Sequence, residues 1–266
     1  MRLCTFRDAN GTRLGEVRGD RVQPLAGRDA RDAIGVPPPP PDGDEVTLAE
    51  LELLAPLSPG KLIGVGWNYP DHAREMGGAG GDTPVVFSKL VSSVTGTGAG
   101  VVVPDYTDQL DYEGELAVVI GARARAVAPG RALDHVFGYA VINDITARDM
   151  QRAEPQWVRA KGGDGFGPIG PWITTADEVP DPQALGIRTW VNGDLRQDGS
   201  TAGMAFSVAA LVTWCSAAFT LEPGDVIATG TPPGVGTART PPVYLRPGDV
   251  VRVEIDGLGA IENEIR

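Results

Sequence analysis

The sequence predicts a mainly β protein of mixed α+β class, with a roll or barrel-like core, a few short helices outside it, and a small N-terminal β domain. Three observations carry this reading. Apolar runs are short and rich in β-branched residues, which suits strands. Thirty-six glycines and 23 prolines punctuate them with turns. The helical patterns that remain are few and brief. A chain of 266 residues can form one large domain, or a large and a small one, and bury a real core.

The elements follow in order. Residues 2–6, 12–17 and 21–25 alternate as a small β-meander, and Asn10-Gly11 is a strong hairpin turn signal. Pro37 to Pro41 is an uninterrupted proline run, excluded from a sheet centre and read as a stiff exposed linker. The expected division is therefore a small N-terminal β domain with its linker over 1–55 and a larger domain over 56–266. Strands are expected at 62–65, 85–88, 100–103, 114–120, 138–143, 170–174, 188–191, 225–228 and 250–255. Short helices are expected at 71–76, 146–152 and 208–215.

Composition excludes several functions. The chain carries 35 acidic against 23 basic residues, a net charge of −12, and no stripe of cations interleaved with aromatics. Nucleic acid, which needs clustered positive charge, is not an expected partner. No apolar run approaches the ~18–20 residues of a membrane span, and the N-terminus lacks the apolar stretch of a signal peptide. Two cysteines, Cys4 and Cys215, give no disulfide framework, so a reduced cytoplasm is the expected compartment. The only lysines are Lys61, Lys89 and Lys161, which makes each worth locating.

The most informative stretch is Asp111-Tyr-Glu-Gly-Glu-Leu-Ala-Val-Val-Ile-Gly121. Residues two apart share a face of a strand, so Glu113 and Glu115 project side by side while Leu116, Val118 and Ile120 line the other face of a half-buried strand. A second strand ends at Asn143-Asp144 and can bring a third carboxylate alongside. Alone, a Glu-x-Glu pair is as a rule two solvated charges. Three carboxylates converging near a core raise one another's pKa unless a cation balances them. All-oxygen ligation favours Mg²⁺ or Mn²⁺ over zinc.

Asn68-Tyr-Pro-Asp-His72-Ala-Arg-Glu75-Met-Gly-Gly78 reads as a short helix. Asn68 or Asp71 can cap it, Pro70 suits its first turn, and Gly77-Gly78 stops it. His72 and Glu75, three apart, share a face. A carboxylate beside an imidazole raises its basicity and fixes its tautomer, as a water-activating base requires. A lone His-x-x-Glu is more often a surface ion pair. The Gly77-Gly-Ala-Gly-Gly81 segment has the composition of a loop that closes over a site. His135, the other histidine, precedes a strand and reads as structural.

In this order the motifs resemble the fumarylacetoacetate hydrolase family, near its acylpyruvate hydrolase and hydroxy-diene-dioate isomerase branch. They are Ile63-Gly-Val-Gly-Trp-Asn-Tyr-Pro-Asp-His72, Phe87-Ser-Lys89, Asp111-Tyr-Glu-Gly-Glu115, Asn143-Asp-Ile-Thr-Ala-Arg-Asp149, Gln156-Trp-Val-Arg-Ala-Lys161, Phe166-Gly-Pro-Ile-Gly-Pro171 and Thr229-Gly-Thr-Pro-Pro-Gly-Val-Gly236. The resemblance covers about 61 to 266. It implies a β-roll domain, a bound Mg²⁺ (or Mn²⁺) and a homodimer. Carried over by position, Glu113, Glu115 and Asp144 match the metal carboxylates, and His72 and Glu75 the water-activating dyad. Lys161 matches a lysine that contacts substrate, and Thr231 a backbone-and-hydroxyl contact for its carboxylate. Lys89, Arg148 and Gln151 fall in motifs near the pocket, Lys89 and Arg148 being equally readable as structural ion pairs. A phosphate-loop reading of 229–236 fails for want of a Gly-Lys-Ser/Thr ending.

The resemblance implies cleavage of a carbon–carbon bond in a 2,4-dioxo acid of the acylpyruvate or fumarylpyruvate kind, giving pyruvate and a carboxylic acid. The same site also suits decarboxylation of an oxo diacid such as oxaloacetate, or isomerisation of a hydroxy-dienoate. A catalytically silent binding member is the remaining alternative, disfavoured by the complete set of carboxylates, dyad and lysine. Two departures from the common pattern, Trp67 before Asn68 and Leu90 after Lys89, are expected to border the substrate entrance.

Overall fold

The computed structural model of the protein describes residues 1–78 and 80–266. Strands β1 (Arg2–Asp8), β2 (Gly11–Arg18) and β3 (Arg21–Leu25) form the expected meander. Gly11 takes φ +107° at the Asn10-Gly11 turn, a left-handed conformation that favours glycine. The proline run lies along β3, where the Pro40 carbonyl accepts a hydrogen bond from Ala26 N–H. Two short strands, β4 (Val46–Thr47) and β5 (Glu52–Leu54), pair with β3 and β1.

Next come β6 (Leu62–Gly66), helix α1 (Pro70–Glu75), β7 (Val85–Lys89), β8 (Val94–Thr95), β9 (Leu110–Asp111) and β10 (Gly114–Ile120). They are followed by β11 (Val136–Asn143), β12 (Thr146–Ala147), helices α2 (Arg148–Ala153) and α3 (Val158–Lys161), and β13 (Gly167–Thr175). The chain closes with β14 (Gly186–Val191), β15 (Asp194–Ser200), helix α4 (Val208–Ala218), β16 (Val226–Ala228), β17 (Val250–Ile255) and β18 (Gly259–Glu264).

One large mixed sheet runs β4-β3-β2-β1-β13-β11-β10-β16-β6-β7, so the N-terminal meander joins the rest through β1 and β13. A four-stranded sheet, β15-β14-β17-β18, packs against it, and β9 pairs with β12. The fold is mainly β, as the sequence predicts.

Three local expectations are corrected. Strand β10 is buried along its whole length, not half-buried. Leu116, Val118 and Ile120 join Val253 and Ile255 of the smaller sheet and Leu211 of α4 in one core, while Ala117 and Val119 join Leu3, Leu14 and Leu57 in another. Each such Val, Leu or Ile side chain contributes ~1.5–3 kcal/mol on burial, and packing on both faces fixes the strand end that carries the acidic residues. Residues 100–103 form no strand beyond a single bridge from Val101 to Ile265. Thr146 and Ala147 pair with Asp111 and Leu110 as β12, so the expected helix starts only at Arg148. No helix among the described residues is long and apolar enough to cross a membrane.

Candidate active site

Strand pairing assembles the carboxylates. In the β10–β11 register Gly114 faces Asn143, so Glu113 and Asp144 lie together at the strand ends. The Asn143 side chain accepts from Glu113 N–H at 3.0 Å, and Asp144 N–H donates to the Glu113 carbonyl at 2.8 Å. Glu113, Glu115 and Asp144 are all buried, and each offers an oxygen within 4.8 Å of the others.

Three buried cations face this cluster. Lys161 Nζ lies 2.6 Å from Glu113 Oε2 and 2.8 Å from Asp144 Oδ2. Lys89 Nζ donates to Asp144 Oδ1 at 2.6 Å and to the Lys161 carbonyl. Arg148 donates through Nε to Asp111 Oδ2 at 2.8 Å and through Nη1 to Gln151 at 3.0 Å. Its Nη2 lies 2.7 Å from Glu113 Oε1 but without the alignment of a hydrogen bond.

The resulting electrostatics are uneven. Burial alone would raise Glu113, but the charges of Lys161 and Arg148 hold it well below the usual carboxylate range. Glu115 is pushed well above that range by burial, then by Asp144 and Glu113. Burial lowers Lys161, but Asp144 and Glu113 more than offset it and leave it raised, whereas burial wins at Lys89 and lowers it. Glu115 is thus the carboxylate whose charge lacks a cation; its Oε2 accepts only a backbone N–H, that of Gly230, at 2.7 Å. An oxygen-only donor set with uncompensated charge fits a hard divalent ion.

Helix α1 carries the dyad. His72 Nδ1 lies 2.8 Å from Glu75 Oε1, and since a carboxylate only accepts, Nδ1 holds the proton and Nε2 the lone pair. Glu75 is held in turn by Gly234 N–H, at 3.1 and 3.0 Å to its two oxygens. Asn68 does not cap α1. Its amide donates to the Thr229 and Phe206 carbonyls at 2.7 and 3.0 Å, because it is buried and these backbone groups need partners. Asp71 makes no cap either. Thr231 also departs from expectation: its hydroxyl donates to the Gly114 carbonyl at 2.9 Å and accepts from Gln197 at 2.7 Å. A hydroxyl has one proton, so only the Thr231 backbone N–H is left to donate to a ligand. The expected closing loop at 77–81 includes Ala79, which lies outside the described residues.

His72, Glu113, Glu115, Arg148, Lys161 and Thr231 line one cavity of about 310 Å³, open mouth included, with Gln151 at its rim. Glu75, Lys89 and Asp144 stand behind these residues and brace them. Trp67 borders the cavity as expected; Leu90 does not line it. His135 closes a 3₁₀ turn away from the site. A wider groove of about 1250 Å³ runs beside the N-terminal meander at Arg28 and Arg31, but brings no histidine or carboxylate cluster together with a lysine.

Three residues of the site were given no role from the sequence. Asp111 accepts from Arg148, Gly236 and Thr237; Gln197 steers Thr231; Trp157 walls the cavity. Asn68, expected only as a cap, instead ties α1 to the 229–236 segment. Only Asp111 carried a signal, as the acid two places before Glu113.

Residues 61–266 match the family model described as fumarylacetoacetate (FAA) hydrolase, C-terminal. Residues 1–56 match one described as Rv2993c-like, N-terminal. The chain is 46% identical over 220 residues to the mitochondrial oxaloacetate tautomerase fahd2 of Xenopus laevis, covering 82% of this chain and 69% of that one. A fumarylacetoacetate hydrolase from psychrophilic Exiguobacterium antarcticum superposes with a TM-score of 0.92 at 42% identity, covering 100% of this chain and 99% of that one. A 2-hydroxyhepta-2,4-diene-1,7-dioate isomerase from Mycobacterium marinum superposes at 0.86 with 35% identity, covering 100% and 98%.

Proposed function

Because the chain belongs to the fumarylacetoacetate hydrolase family, we propose that it is a divalent-metal-dependent hydrolase that splits a small 2,4-dioxo acid into pyruvate and a carboxylic acid. One observation carries the reading: the oriented His72 of the His72–Glu75 pair opens into the same cavity as Glu113 and Glu115, with Asp144 converging on them from behind. Glu113, Glu115 and Asp144 would hold Mg²⁺ or Mn²⁺, which supplies Lewis-acid polarisation of an oxo group.

The chain's own groups account for the rest. The Thr231 N–H is the donor for the substrate carboxylate, with the Arg148 guanidinium, ion-paired to Glu113 at 2.7 Å, supplying positive charge beside it. His72 Nε2 takes a proton from water, and the hydroxide adds to the 4-oxo carbon. The bond from C3 to C4 then breaks, its electron pair passing to the pyruvate enolate. Lys161 stabilises that enolate, and His72 returns a proton to C3. A general base of this kind contributes about 10²- to 10⁴-fold.

A second reading changes the reaction, not the site. The 46% identity to an oxaloacetate tautomerase favours keto–enol interconversion without water attack, in which His72 takes a proton from C3 and the 2-oxo oxygen receives one, or the reverse. Decarboxylation of oxaloacetate would use the same enolate. The functional unit in this reading is a homodimer. Edge strand β7 supports it, since Val85 and Val86 on that strand and the neighbouring Leu90 and Val91 are exposed and form a margin a second copy can cover.

The test is a steady-state assay with Mg²⁺ on acetylpyruvate and oxaloacetate, each with a chelator control. Chelator-sensitive release of pyruvate and acetate is the expected result, and it should disappear in His72→Ala. Enol–keto interconversion of oxaloacetate without acetylpyruvate cleavage would replace hydrolysis with the second reading.

A further inference from the structure

We propose that Trp67 and Trp157 form a specificity wall for the substituent beyond the 4-oxo group, selecting substrates that end in a flat apolar or aromatic acyl group over those that end in a second carboxylate. The inference rests on the 2,4-dioxo acid reading above and names the substrate class within it.

The backbone at Trp67 supplies the first observation. Its φ is +56°, a left-handed conformation that is an outlier for a bulky side chain and persists only where the surroundings impose it. The surroundings are the next residue. Asn68 is fully buried, its amide bonds the Thr229 and Phe206 carbonyls, its oxygen accepts from Phe206 N–H at 2.8 Å, and its carbonyl accepts from Ala205 N–H at 2.7 Å. These bonds fix the chain on one side of Trp67 and so aim the indole.

The second observation is where the indole points. Trp67 stands edge-on to Trp157, with centroids 5.6 Å apart and planes at 77°, and Trp157 meets Phe87 at 5.4 Å and 63°. Phe87 does not line the cavity but lies 5.0 Å from Lys161 Nζ and backs the Trp157 ring, so Trp157 is held from behind. Gly66 makes room for it: a Cβ there would meet the Trp157 ring at 2.8 Å. Trp67 nonetheless stays 43% exposed, leaving apolar surface for a ligand to cover.

Charge supplies the third. Val65, Trp67, Met76 and Trp157 are apolar lining of the cavity, Trp67 the most exposed of them, whereas its cations, Lys161 and Arg148, are paired with Glu113 and Asp111. A second carboxylate against the two indoles would be desolvated with no uncommitted cation among the described lining residues to receive it, while an aromatic acyl group would stack.

The experiment compares kcat/KM for benzoylpyruvate, acetylpyruvate and succinylpyruvate with Mg²⁺ in the wild type, Trp67→Ala and Trp67→Phe. The wild type should favour benzoylpyruvate over succinylpyruvate, and the benzoyl-to-acetyl ratio should fall about tenfold in Trp67→Ala and recover in Trp67→Phe. A wild-type preference for succinylpyruvate, or a ratio unmoved in Trp67→Ala, would overturn the wall. If no dioxo acid is cleaved, the same ratios measured as Kd by calorimetry decide it. Tighter binding of benzoylpyruvate, lost in Trp67→Ala, would keep the wall and retire only the hydrolytic reading; equal binding would retire the wall.

Discussion

Replacing Asp111 by asparagine should cost more than any single hydrogen bond in the site. Asp111 is fully buried and accepts four hydrogen bonds: Oδ1 from Tyr112 and Gly236 N–H at 2.9 and 2.8 Å, Oδ2 from Thr237 N–H at 3.0 Å and Arg148 Nε at 2.8 Å. An asparagine amide has the same shape, but whichever way it turns, its NH₂ faces two donors. Arg148 then stays buried with Glu113 as its one remaining charged partner. Breaking one side of a buried charge pair costs about 3–5 kcal/mol. At roughly 2–4 °C per kcal/mol for a large domain, the melting temperature should fall by about 6 to 20 °C. Activity should fall too, because Gly236 and Thr237 continue the segment whose Gly234 N–H holds Glu75. Thermal melts followed by circular dichroism, with the Mg²⁺-dependent assay beside them, measure both effects. A melt within about 2 °C of the wild type and unchanged turnover would refute the coupling of Asp111 to the site.

Two further outcomes are expected. Glu113→Ala should abolish both activity and Mg²⁺ binding by calorimetry, because it removes one of three converging carboxylates and leaves Lys161 with Asp144 alone; retained binding would remove Glu113 from the metal set. Sedimentation should give the mass of two chains, and Val86→Lys, placing a charge on the exposed edge of β7, should shift it toward one; a monomeric wild type would dispose of the dimer.

Much of this was legible in the sequence, and the rest was hidden for physical reasons. Strands with an alternating apolar face, such as β14 and β17, announce themselves, since every second side chain is buried. Strand β15, Asp-Leu-Arg-Gln-Asp-Gly-Ser, does not: the residue it buries is Gln197, which a hydrophobic pattern passes over. The same holds at β18, where Asn263 is buried to satisfy the Gly96 and Ala99 carbonyls. The spacing of Glu113 and Glu115 pointed to a shared face, and the structure brings Asp144 to them through the β10–β11 register. What spacing could not supply was direction. Asp111 looks like one more acid of the run, yet it turns toward Arg148 and the Gly236 turn while Glu113 turns toward Lys161.

The charge arrangement explains why the site needs so many ionic groups. Four buried carboxylates, Asp111, Glu113, Glu115 and Asp144, stand against three buried cations, Lys89, Arg148 and Lys161. Taken as ionised, they leave one negative charge, concentrated at Glu115, the member that no lysine or arginine contacts. A divalent ion there turns the balance to one positive charge, the sign that draws an anionic oxo acid inward. Leaving out Lys89 would strand Asp144 with Lys161 alone, and Lys161 could no longer divide its protons between Asp144, Glu113 and a substrate. In the proposed reaction Lys89 would be a brace that leaves Lys161 available to the substrate, a role suited to a fully buried lysine that lines no part of the cavity.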